Sequence, residues 1–90
     1  MPSYLVETFL ARARAADRTT HEARARAAAE ASSASGTRVR FEGAINVPED
    51  EICFFVFDAP SRAEALLVAR RASLDPIRVV EAVTSRKEEK

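Results

Sequence analysis

The chain has 90 residues, of which 47% are hydrophobic and 31% charged, with basic and acidic side chains equal at 14 each. This length predicts a single domain, and the zero net charge argues against a nucleic-acid binder, whose affinity comes largely from phosphate neutralisation. The lone cysteine excludes an internal disulfide. A domain this small buries a limited core, which favours self-association.

The chain shows no membrane or secretion signal. Its apolar stretches are far shorter than the roughly 20 residues that a membrane span needs. Its first residues lack the basic and then apolar character of a signal peptide. We therefore expect a cytoplasmic protein with no membrane partner and no nucleic-acid partner.

The first part of the chain predicts a strand and a helix. Residues 3–9 are rich in strand-forming types, and residues 11–18 form a basic, Ala-rich connection. The segment Thr19-Thr20-His21-Glu22 has the pattern of a capping box and predicts a helix from Thr19 to about Ala34. The expected apolar stripe of this helix is Ala23, Ala27 and Ala31.

The middle of the chain predicts a hairpin. Residues 37–47 alternate between apolar and polar types, residues 48–51 form a polar turn, and residues 52–59 are apolar on both faces, as in a central strand. Pairing Val47 with Ile52 aligns apolar residues along one face. On that face the same register pairs Ile45 with Phe54 and Gly43 with Val56. On the other face it pairs Asn46 with Cys53, Ala44 with Phe55 and Glu42 with Phe57.

The last part predicts a second helix and a strand. Ser61 and Glu64 form a second capping box, and the expected apolar side of the helix is Ala65, Val68, Ala69 and Ala72. Pro76 ends the helix, residues 77–84 form the last strand, and residues 85–90 are a charged tail that we expect to be disordered.

The order of elements predicts an α+β fold of the ferredoxin-like βαββαβ type. Its four-stranded antiparallel sheet has strands one and three in the centre and both helices on one face. We expect one domain over residues 1–84.

The sheet face without helices is the expected interaction surface. We place Cys53, Phe55 and Phe57 of the third strand there, with Arg38 and Arg40 of the second. Bare aromatic side chains on an open sheet form an apolar patch that a monomer rarely exposes. The same face of a second subunit is the simplest cover and gives a dimeric α/β barrel, while a small molecule in a pocket is an alternative.

Three residues are candidates for chemistry on that face. One prediction is a metal site with oxygen and sulfur ligands, formed by Glu7, Glu42 and Cys53. Another is a general acid–base pair formed by the two glutamates. Ordinary ion pairs of the glutamates with Arg38 or Arg40 are the alternative that we favour. We likewise favour Cys53 as a buried apolar residue over a reactive thiol.

Other polar residues have simpler interpretations. We expect His21 to be an exposed residue in the first helical turn, because no second histidine exists to share a metal. Asp58 serves the corner between strand and helix. The basic run over residues 12–26 is interpreted as a solvated surface, given the zero net charge.

Short segments of the chain resemble a known family. They are Tyr4-Leu5-Val6-Glu7, Cys53 in the third strand, Phe57-Asp58-Ala59-Pro60-Ser61 followed by Glu64-Ala65, and Leu74 before the last strand. The chain is similar over most of residues 3–83 to small bacterial proteins of unknown function that include a nickel-binding member. The resemblance implies a ferredoxin-like fold, a homodimer and binding of nickel or another divalent metal. Here the second strand lacks the histidine that family members often carry.

Our leading hypothesis is a dimeric protein that binds a small molecule or metal ion without catalysis. One alternative is an enzyme of the dimeric α/β-barrel monooxygenase or isomerase type. Another is a pure protein-interaction module.

Overall fold

A computed structural model describes residues 1–83 of the chain. Its main elements are β1 (Ser3–Phe9), α1 (Asp17–Ala34), β2 (Arg40–Val47), β3 (Ile52–Asp58), α2 (Arg62–Arg71) and β4 (Pro76–Ala82). One-turn 3-10 helices at Arg12–Arg14 and Pro48–Asp50 join them. The predicted tail over residues 85–90 and the predicted domain boundary at residue 84 lie outside the described residues.

The strands form one antiparallel sheet in the order β2-β3-β1-β4. This confirms the ferredoxin-like βαββαβ fold, with strands one and three in the centre. The third strand, β3, lies between β2 and β1 as predicted, and buried residues alternate with half-buried ones from Ile52 to Phe57.

The β2–β3 hairpin has the predicted register over most of its length. Val47 lies opposite Ile52 and Ile45 lies opposite Phe54. The expected pairing of Glu42 with Phe57 is wrong, because the register shifts between Phe41 and Gly43 and brings Phe41 opposite Phe57 instead. The extra residue in β2 forms a bulge, and a bulge reverses the face on which the preceding side chains lie.

Gly43 permits this bulge. Its φ of 143° lies in a region that residues with a Cβ atom rarely adopt. As a result, Phe41 shares a face with Ala44 rather than with Ile45, and its ring joins the hydrophobic core.

The core lies between the sheet and the two helices. The predicted side of α2 is confirmed, since Ala65, Val68, Ala69 and Ala72 are all buried. The predicted stripe of α1 is wrong, because its buried residues are Ala25, Ala28, Ala29 and Ser32, while Ala23, Ala27 and Ala31 are exposed. An alanine-rich helix offers several stripes of helical spacing, so its own sequence did not distinguish between them.

The starts of the two helices differ from each other. Ser61 caps α2 as predicted, with its hydroxyl oxygen accepting from the Glu64 amide at 3.4 Å. The predicted cap at Thr19 is wrong, because α1 begins at Asp17 and has no side-chain cap. Glu22 instead forms an ion pair with Arg18 at 3.1 Å, one helical turn earlier.

Candidate interaction surface

The third strand is turned over relative to the sequence prediction. Phe55 and Phe57 are 0% exposed and face the helices, where the Phe55 ring lies 6.3 Å from the His21 ring of α1. The placement of these residues and of Cys53 on the open face is therefore wrong. Both faces of β3 are apolar, so alternation alone did not show which set faces the helices. The buried side chains of the helices are mostly alanines, and large phenylalanines fill the space that such short side chains leave.

Arg40 lies opposite Asp58 on the side of the sheet without helices, and the neighbours of Cys53 in the sheet are Asn46 and Thr8 rather than Arg38 or Arg40. Arg38 and Arg40 both line a shallow cleft beside Ser33 and Val39, between α1 and the edge strand β2. The guanidinium of Arg40 lies 3.5 Å from the Glu42 carboxylate, at an exposed position. This contact confirms the favoured interpretation of Glu42 as an ion-pair partner.

The predicted metal ligands are not gathered within one chain. Glu7 lies opposite Phe54 in the sheet, whereas Cys53 lies opposite Thr8, so the two side chains point to opposite faces. Glu42 lies in the bulge of β2. Over residues 1–83 the structure shows no group of three or more His, Cys, Asp or Glu side chains that would hold a metal ion.

Two titratable side chains on the helix side of the sheet, those of Cys53 and His21, have shifted pKa values. Burial raises the pKa of the Cys53 thiol, and Glu22 adds to this effect while Arg18 opposes it. The His21 ring is half-buried rather than exposed as expected. Burial, followed by the charge of Arg24, lowers the pKa of His21. Because the thiolate is the nucleophilic form, this environment favours a structural role for Cys53.

The opposite side of the sheet carries an apolar surface that neither helix covers, which we call the open sheet face. All four strands contribute to it, since both helices pack on the other side. Phe9 and Ile45 are 63% and 52% exposed. The apolar members are Leu5, Phe9, Ile45, Val47, Ile52, Phe54, Val56 and Val80.

A charged pair interrupts this apolar surface between β1 and β4, while Arg40 and Asp58 lie on the same side at the ends of β2 and β3. Arg78 of β4 lies directly opposite Glu7 of β1, and its Nε donates a hydrogen bond of 2.7 Å to Glu7 Oε1. The Glu7 side chain is only 15% exposed, whereas that of Arg78 is 66% exposed. Sequence reasoning missed Arg78, because the β1–β4 register shifts at Glu7 and Thr8 and no turn connects these strands to fix it.

Two clefts between described elements lie away from the open sheet face. One of about 180 Å³ lies between the C-terminal part of α1 and α2, lined by Ser32, Glu64 and Arg71 among others. Another, of about 370 Å³, lies between α1 and β2 and includes Arg26 and Phe41. Both are open grooves with few converging polar groups, unlike the enclosed pockets that bind most small molecules.

The chain has no match among protein-family models, curated proteins or solved structures. In the described part of the chain, neither helix has the length and apolar character needed to cross a membrane.

Proposed function

We propose that this protein is a homodimeric interaction module, in which the open sheet face of one copy packs against the same face of a second. The observation that carries the proposal is the apolar surface contributed by all four strands and left uncovered by both helices. Apolar patches of this kind on small proteins mark interaction sites. Two sheets pack face to face at about 10 Å, with interdigitating side chains.

A second copy suits this surface better than an unrelated partner. A twofold interface joins a patch to itself, so its charges must be self-complementary. The open sheet face meets this condition, because its central charges are one carboxylate and one guanidinium, Glu7 and Arg78. The resemblance to the small bacterial family also implies a homodimer of the ferredoxin-like type.

Ligand binding has less support in this geometry. Glu7 and Cys53 lie on opposite faces, and the clefts at α1 are open grooves. Binding of nickel or another divalent metal, and the enzymatic alternative, remain predictions from the sequence and the resemblance.

A matched pair of variants tests the dimer. Ile45 and Leu67 are both large apolar residues at 52% and 64% exposure, but Ile45 lies on the open sheet face and Leu67 on α2. We expect Ile45→Glu to weaken dimerisation at least ~30-fold, since it places a charge in an apolar contact without a partner. Leu67→Glu should leave dimerisation unchanged.

Sedimentation equilibrium at several protein concentrations measures both dissociation constants. Circular dichroism shows that each variant remains folded, as expected because both side chains are exposed in the single chain. A wild-type protein that stays monomeric at high micromolar concentration would overturn the proposal. So would equal effects of the two substitutions.

A further inference from the structure

The charged pair on the open sheet face has a definite place in the proposed interface. Glu7 lies between Leu5 and Phe9 along β1, and its neighbours across the sheet are Phe54 on one side and Arg78 on the other. The pair is thus bordered by apolar side chains that a second copy would cover. Water that now hydrates the exposed guanidinium would be displaced on association.

Arg78 then needs new hydrogen-bond acceptors. A guanidinium has five N–H donors, and the bond to Glu7 uses the one at Nε. Burial of the remaining donors without partners is costly. Because the covering surface is the same surface, the acceptor must come from another open sheet face.

Two carboxylates on the open side of the sheet are candidates for that acceptor. Asp58 accepts a hydrogen bond of 2.6 Å from the Ser3 hydroxyl, is itself buried, and lies at the end of β3. Glu7 lies near the middle of β1 and accepts the hydrogen bond from Arg78 at Oε1. The carboxylate of Glu7 therefore fits the requirement better.

We infer that the Glu7–Arg78 pairs of two copies meet across the twofold axis and form one four-membered ion-pair cluster, which selects the partner. In such an interface Glu7 of each copy contacts Arg78 of the other, because an isologous contact is always reciprocal. This inference rests on the proposed homodimer. It places the ion-pair cluster at the centre of the interface and makes the cluster the determinant of partner specificity. Apolar contact alone discriminates poorly between partners, whereas juxtaposed like charges exclude wrong ones.

A double charge exchange tests the inference. The variant Glu7→Arg/Arg78→Glu keeps an oppositely charged pair within each chain and keeps the surface self-complementary. We expect it to form homodimers about as tightly as the wild type. Mixed with the wild type, it would place like charges opposite each other at both positions, so heterodimers should be strongly disfavoured.

Native mass spectrometry of an equimolar mixture with ¹⁵N-labelled wild type measures the heterodimer fraction after subunit exchange. We expect this fraction to fall from the statistical half to under about 5%, since like charges placed opposite each other in an interface suppress wrong partners. The control is Arg14→Glu/Asp17→Arg, which exchanges an exposed pair at the start of α1 with the same 2.7 Å separation. That variant should mix statistically with the wild type.

The outcomes separate the two proposals. A monomeric wild type would overturn the homodimer itself. If the wild type is dimeric but mixes statistically with Glu7→Arg/Arg78→Glu, the homodimer stands, and the inference that the charged pairs contact each other across the interface is wrong. Should the double variant fail to fold, the single variants Glu7→Arg and Arg78→Glu replace it. Each should self-associate at least ~30-fold more weakly than the wild type, and an equimolar mixture should form heterodimers.

Discussion

The thiol of Cys53 is enclosed between the sheet and the first turns of α1. Its side chain is 0% exposed. Burial raises its pKa, as does Glu22, while Arg18 lowers it. A raised pKa in the folded state contributes stability at pH values below the ordinary thiol pKa, and that contribution is lost as the pH rises through the raised value. The same shift reduces the thiolate fraction near neutral pH.

We predict that native Cys53 resists modification by a disulfide reagent. Reaction requires both the thiolate and access to it, so the rate at pH 8 should be at least ~100-fold lower than in denaturant, equivalent to a local opening cost of a few kcal/mol. Dithionitrobenzoate absorbance with and without 6 M guanidinium checks this. A native rate within a few-fold of the unfolded rate would mean that the helix-facing placement of Cys53 is incorrect.

Single residues also decide where sequence reasoning failed. Residues 37–47 alternate well enough to suggest an uninterrupted strand, and yet Gly43 allows an extra residue that reverses Phe41. A glycine within a strand is a known signal for a bulge. The signal was therefore present, but the size of the register shift depends on how the Phe41 ring packs with Phe57, at 5.3 Å between centroids. That contact joins two different strands, so the sequence of β2 alone does not determine it.

At the scale of elements, the two helices show when a cap motif is informative. Ser61 precedes α2 and has the extended backbone conformation of a cap, whereas Thr19 lies inside a helix that begins at Asp17. The 3-10 helix Arg12–Arg14 and a turn at Ala15 and Ala16 precede α1, and Ala16 already has helical backbone angles, so the helix starts before Thr19. The same four-residue pattern thus has different outcomes.

We predict that Ser61→Ala lowers the free energy of unfolding by about 1 kcal/mol, the usual loss for a removed N-cap. Thr19→Ala should change it by no more than a few tenths of a kcal/mol, because alanine is the better helix former at an exposed interior position. Urea denaturation at one fixed protein concentration measures both. Equal losses for the two variants would contradict the assignment of the caps.

The order and type of the elements were predictable, because the strand and helix periodicities and the turn residues of this chain agree with one another. The hairpin register from Gly43 to Ile52 was also predictable, since one turn fixes it. The choice of buried stripe in α1 and of buried face in β3 was not. Each depends on how the alanine-rich helices pack against the phenylalanines of the sheet. The sequence of one segment alone does not determine that packing.

At the scale of the whole molecule, the sheet has an apolar face without helices in either orientation of β3. If Phe55 and Phe57 had faced outward, they would have formed the apolar patch. With them buried, Phe54 and Val56 lie on the open side, together with Ile45 of β2. A strand that is apolar on both faces leaves one apolar face for a partner whichever way it is turned. The residues of the proposed interface therefore differ from those predicted from the sequence. The Glu7–Arg78 pair could be identified only from the β1–β4 register.

Thermal stability should therefore depend on protein concentration. A dimer that unfolds to two free chains gains stability by mass action as concentration rises. With an unfolding enthalpy of about 120 kcal/mol per dimer, a tenfold increase should raise Tm by about 4 °C. Differential scanning calorimetry at 5, 50 and 500 µM checks this. Leu67→Glu should follow the wild type, whereas Ile45→Glu should show a lower Tm than the wild type at each concentration. A wild-type Tm constant within a degree over this range would show that the open sheet face does not join two copies in solution.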